Sequence, residues 1–155
     1  MATTISTRAS QIEAADFGDY LERMADVVAR GPYIQPLEEC RGLVKQNIRD
    51  NFTSSASPDG VSWPPRKIQG DGHPLLMDTG RLLQAATGGG TGNVDRVDSH
   101  ELEFGVDLDI VPYARAHDYG YQPRNLPERH YLGVSEETID AFEELLSDYV
   151  SELLS

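Results

Sequence analysis

Residues 94–108 read VDRVDSHELEFGVDL, and this stretch decides the fold. Leu102, Phe104, Val106 and Leu108 alternate with Glu103, Gly105 and Asp107. A period of two gives one apolar face and one acidic face, which predicts a strand half-buried in an antiparallel sheet. Residues 94–98 supply the partner strand, and Ser99-His100 the tight turn between them. Long helical patterns flank this hairpin, so the class is α+β. The expected architecture is a small antiparallel sheet of about three or four strands, packed with N-terminal helices and a long C-terminal helix. Residues 129–133 (RHYLG) are the candidate third strand.

Working outward, residues 135–154 give the clearest helix. Ser135 can cap it, and Glu136 and Glu137 fall in the first turn, where the helix dipole favours negative charge. Ile139, Phe142, Leu145, Leu146, Tyr149, Val150, Leu153 and Leu154 make a wide apolar face. On the other side, residues 10–30 read as an amphipathic helix with Ser10 and Glu13 at capping-box spacing, stopped by Gly31-Pro32. Residues 36–52 read as a second helix with Pro36 at its first position. Leu37, Cys40, Val44, Ile48 and Phe52 form its apolar stripe. The short connection predicts an antiparallel pair. Residues 112–119 suit a short helix closed by Gly120, and residues 75–86 a turn leading into another, with Thr79 able to cap.

The whole chain, 1–155, reads as one domain, with 1–52 its N-terminal helical part. Two segments are expected to be mobile loops. Residues 53–74 carry four Pro and three Gly and hold Trp63, whose large apolar surface must lie in the core or against a neighbouring chain. Residues 87–93 (TGGGTGN) contain three consecutive glycines with no side chains to pack. This second segment is no phosphate loop, because no Gly-Lys-Ser/Thr follows.

The chain carries 13 Lys+Arg against 26 Asp+Glu, a formal net charge of −13. Residues 98–109 hold five acids and no base, and residues 134–155 seven acids and no base. The rest is close to neutral. Such a balance argues against nucleic-acid binding, which needs a basic footprint, and against anionic lipid. No apolar run of transmembrane length exists, and the N-terminus lacks the apolar core of a secretory signal. The single cysteine lies in a core stripe, so a reducing cytoplasm fits.

Catalytic chemistry finds no foothold in the sequence. None of His73, His100, His117 and His130 stands at a metal-ligand spacing, and no nucleophile elbow is present. His117 and Asp118 are helix neighbours, which do not face each other. Arg115, Arg124 and Arg129 fall among tyrosines, where they more often stack or pair than bind nucleic acid. No enzyme, cofactor or metal is expected.

An ordered set of short motifs runs from residue 52 to 133: Pro58-Asp59-Gly60, Trp63-Pro64, Leu76-Met77-Asp78-Thr79-Gly80-Arg81-Leu82, Phe104-Gly105-Val106, Tyr113-Ala114, His117 with Gly120, and Leu126-Pro127-Glu128-Arg129-His130-Tyr131-Leu132-Gly133. This order resembles the phage virion morphogenesis family, related to the tail-completion proteins of tailed phages. Asp118 stands where the family usually has Gln, and Glu128 where it usually has Ala. The resemblance implies a virion structural protein of the neck, a tail terminator or head–tail joining protein, made and assembled in the host cytoplasm. It implies a homo-oligomeric ring, a hexamer being favoured, stacked on a connector or stopper and the tail tube. DNA would pass through without specific binding. The residues it singles out as subunit contacts or family-motif positions are Asp59, Gly60, Trp63, Thr79, Gly80, Leu82, Tyr113, Ala114, His117, Gly120, Pro127, Arg129 and Tyr131, with Trp63, Gly80 and Arg129 as readily holding the monomer fold. The rival readings are an assembly-only chaperone absent from the virion, a hydrolase using a loop carboxylate, and an acidic nucleic-acid mimic. In a ring, the acids of Asp98–Asp109 or of the C-terminal helix face either the DNA channel or the outer wall.

Overall fold

A computed structural model describes residues 5–7, 10–12, 14–67 and 72–155. In chain order the elements are β1 (Ile5–Thr7), β2 (Ser10–Ile12), α1 (Ala14–Arg30), α2 (Ile34–Ser54), α3 (Arg81–Thr87), β3 (Asn93–Val97), β4 (Leu102–Val106), α4 (Ala114–Tyr119) and α5 (Glu136–Leu154). A single 3-10 turn, Gln122–Arg124, lies between the last two helices. The class is mixed helix and strand, as the patterning implies.

The hairpin of residues 94–108 forms as expected. β3 and β4 pair antiparallel from Asn93↔Val106 to Val97↔Leu102. Asp98 closes its turn, accepting from the backbone N–H groups of His100 and Glu101 at 2.8 Å each. These bonds stabilise the carboxylate and hold its pKa below the usual value. This sheet has two strands, fewer than the three or four expected, and β1–β2 form a separate two-stranded pair. Residues 129–133 are not the third strand. They form no ladder: the Arg129 N–H donates to the His117 carbonyl, Asp118 accepts from the N–H groups of Tyr131 and Leu132, and Asn51 donates to the Tyr131 carbonyl.

Two further boundaries and one packing arrangement differ from expectation. The first helix starts at Ala14, because Ser10–Ile12 is extended and paired with Ile5–Thr7; Glu13, the other half of the expected capping box, lies outside the described residues. α2 begins two residues before Pro36, whose absent N–H still costs nothing because the first helical bond runs from Leu37 N–H to the Tyr33 carbonyl. α1 packs chiefly against α5 rather than pairing with α2. Tyr33 redirects the chain: its N–H donates to the Ser99 carbonyl at 2.7 Å, and its ring sits edge-on to His100 and Tyr149.

The core lies between α2, α3, α4 and the segment before α5. Phe52 meets Trp63 edge-on with ring centroids 5.8 Å apart and tilts against Tyr131 at 5.2 Å. Ile48, Leu82, Ala85, Ala86, Val111 and Ala114 close around them. Cys40 is buried on the α2 stripe, and burial first, then the charge of Glu39, raises its thiol pKa. The C-terminal helix starts on the Ser135 cap, which accepts from the Thr138 N–H at 3.2 Å.

Both expected loops make specific contacts. Ser57–Gly60 is a tight turn closed by a 2.8 Å bond, and the Trp63 N–H donates to the Ser55 carbonyl at 2.8 Å. In the triple-glycine segment, Gly88 ends α3 in a left-handed conformation while the Gly89 N–H donates to the Gln84 carbonyl. A Cβ on Gly92 would stand 2.8 Å from Val111. This second loop is therefore glycine-rich because the backbone turns against packed neighbours.

Candidate functional site

The turn into α3 is built from residues that tolerate unusual backbone. Leu76 and Gly80 both have positive φ, 62° and 75°. Thr79 Oγ1 accepts from the Arg81 N–H at 3.4 Å, and Gly80 supplies the carbonyl that takes the first helical bond, from Gln84. Leu82 is thereby driven into the core, while Arg81 projects outward and donates to the Ile110 carbonyl at 2.7 Å. Facing this turn across a cleft of about 710 Å³ are Tyr113 and His117. Their rings stand edge-on, 6.0 Å between centroids.

Arg129 lines the same cleft and is 6% exposed. Its Nε donates to the Pro64 carbonyl at 2.9 Å and its Nη2 to the Pro65 carbonyl at 3.1 Å. Two consecutive carbonyls of the Pro64-Pro65 pair are thus presented to one guanidinium fork. Arg66, next along, donates to His73 Nδ1 at 2.8 Å and to the Pro74 carbonyl at 2.9 Å. His73 Nε2 lies 3.5 Å from Asp78. Desolvation, then the charge of Arg66, lowers the pKa of Arg129. Burial, then the charge of Arg129, lowers that of His117, so the imidazole stays neutral near pH 7. His117 Nδ1 is buried with no hydrogen-bond partner among the described residues.

Behind the cleft, Asp118 is 3% exposed and takes three donors on one oxygen: Tyr131 N–H at 2.9 Å, Leu132 N–H at 3.1 Å and His130 Nδ1 at 3.0 Å. The histidine that meets Asp118 is thus His130, and not its helix neighbour His117, in keeping with the expectation that helix neighbours do not face each other.

The residues singled out by the resemblance divide clearly. Thr79, Gly80, Leu82, Tyr113, His117 and Arg129 come together at the cleft. Trp63, Ala114 and Tyr131 are core residues. The Trp63 indole donates to the His130 carbonyl at 3.1 Å and the Tyr131 hydroxyl to the Ala114 carbonyl at 2.9 Å. Burial, then the charge of Asp118, raises the Tyr131 pKa. Gly120 lies under the Leu126–Glu128 backbone, next to the half-buried Pro127. Asp59 and Gly60 are exposed at the tip of the Ser57–Gly60 turn and do not join the cleft. Sequence reasoning missed Arg66, His73, Asp78 and Arg81 as cleft residues. The Pro-Pro-Arg run could have pointed to a guanidinium beside exposed carbonyls. Of the three arginines among tyrosines, Arg115 stacks over Tyr119 at 6.0 Å and Arg124 is exposed.

Comparison with family models, curated proteins and solved structures finds no match to this chain. Among the described residues no helix is long and apolar enough to cross a membrane, and no cluster of three His, Cys, Asp or Glu could hold a metal ion.

Proposed function

We propose that this chain is a structural subunit of the neck of a tailed phage, working without catalysis. It would be a tail-completion protein, terminator or head–tail joining protein, forming a ring around the DNA path with six subunits the favoured number. The observation that carries this reading is the convergence of the motifs. Six residues from three separated segments, 79–82, 113–117 and 129, line one cleft. That supports the ordered set as one unit rather than a run of coincidental short matches.

Head-to-tail contacts between identical subunits close into a ring when the rotation permits. Asp98, Glu101 and Glu103 are exposed at the end of the β3–β4 hairpin. On a channel wall, such charge lets DNA pass without adhering. Strand addition between neighbouring hairpins would bring the sheet to the three or four strands expected from the sequence. The partners would be the connector or stopper above and the tail tube below, and the location the virion.

Imaging and protein analysis of purified virions test the reading. The expected result is ring density at the head–tail junction, with loss of the protein leaving heads and tails unjoined. A protein absent from virions and dispensable for joining would sink it. Absence from virions combined with a need for it during assembly would mark an assembly-only factor.

A further inference from the structure

Among the described residues, two surfaces each carry charge short of its opposite. Arg66, Arg81 and Arg129 all donate to backbone carbonyls. None has a carboxylate partner among the described residues, and Asp78 is the one acid among the described residues that line their cleft. A carbonyl-held guanidinium keeps its charge and has N–H groups to spare. α5 is the reverse. All seven of its acids are exposed, and none pairs with a basic side chain among the described residues. The two sets are on different parts of one chain: α5 packs on α1 and α2, and no residue of those three helices lines the cleft.

We infer that the cleft is the docking site for the acidic face of α5 from a second copy of this chain. Glu144, Asp148 and Glu152 follow at intervals of four, so they share one helix face and span roughly 12 Å. Arg66 and Arg81 meet them at the rim, and the buried charge of Arg129 strengthens the field beneath. Donor and acceptor are different surfaces, so the contact is head-to-tail and propagates around a ring. A nucleic acid is the poorer occupant, because a long polyanion meets the excess acid of this chain along its whole length, whereas a second copy presents one short acidic helix face to the cleft. The inference rests on the ring-subunit reading and names the contact that builds the ring.

Charge exchange in the purified full-length protein tests it, read by size-exclusion chromatography with light scattering at low salt. Arg66→Glu with Arg81→Glu, and separately Glu144→Lys with Asp148→Lys and Glu152→Lys, should each weaken self-association at least about tenfold. Both sets in one chain should restore it. Circular dichroism checks folding, and Arg66→Gln with Arg81→Gln replaces the reversed cleft if that variant unfolds. A monomeric wild-type chain, association untouched by either set, or no restoration in the combined chain would overturn the inference. So would a cleft that binds a short oligonucleotide through Arg66 and Arg81 while association persists. The neck reading fails on different grounds, absence from virions and dispensability for joining.

Discussion

Asp118 and Arg129 show how single side chains stand in for secondary structure around the cleft. One carboxylate oxygen organises the turn of residues 130–132, and one guanidinium ties that segment to Pro64 and Pro65. Arg129→Ala strands two carbonyls and should cost about 3 kcal/mol in denaturant unfolding. Arg129→Lys should recover less than half of it, since an ammonium lacks the fork. Trp63 is 5% exposed and part of the aromatic core. Trp63→Ala should therefore lower monomer stability by about 3–5 kcal/mol, with assembly falling in step; assembly lost at unchanged stability would return it to an interface. His117 makes the acid response specific. The unfolded chain titrates this imidazole near 6.5 and the folded chain titrates it lower. The unfolded state thus binds more protons below that pH, and stability is whole above it and declines as pH falls toward the folded value. His117→Gln should narrow the difference in Tm between about pH 7.5 and about pH 5.5.

Elements built on a strict period were legible in the sequence, and contacts between distant segments were not. The alternation at 102–108 yields β4, the stripe from Leu37 to Phe52 yields α2, and Ser135 caps α5. The α1–α5 packing was hidden, because the short Gly31-Pro32 connection carries no sign that Tyr33 docks on the hairpin turn and on Tyr149. The missing third strand has the same cause: nothing local in RHYLG reveals that Asp118 and Asn51 take its backbone groups. Half of the cleft was visible as motif residues, Arg129 among them; Arg66 and Arg81 did not stand out as cleft residues, because their partners are carbonyls, which every residue has. The glycines separate on similar grounds. A Cβ on Gly120, at φ +77°, would meet Glu128 N at 2.9 Å and Leu126 O at 3.0 Å, both rigid backbone. Gly89 has nothing nearer than 4.0 Å. Gly120→Ala should cost more than about 2 kcal/mol, and Gly89→Ala less than about 0.5 kcal/mol, in paired thermal melts.

At the scale of the whole molecule, the net charge of −13 is distributed with a consequence for both stability and association. Within 98–109, Asp98 holds a turn, Glu103 pairs with Arg96, and Asp107 accepts from the Asp109 N–H. Among the described residues no acid of α5 pairs with a base, and while Glu136 and Glu137 lie in the first turn, the last turn has no basic residue to meet the dipole. Acid at a helix C-terminus disfavours the isolated fold. At Glu152 the acid opposes the helix dipole, a cost to the monomer that the proposed contact with a second copy would offset. Glu152→Lys separates the two roles, because they respond with opposite signs. The substitution places a cation where the dipole favours one, so the monomer should gain about 0.3–1 kcal/mol, a rise of roughly 1–4 °C in Tm at low salt. The same change removes a carboxylate from the docking face and puts a cation before Arg66 and Arg81, so self-association should weaken. Both effects should fade together as salt screens them. Higher Tm with unchanged association would leave the acids of α5 as solvating charge only.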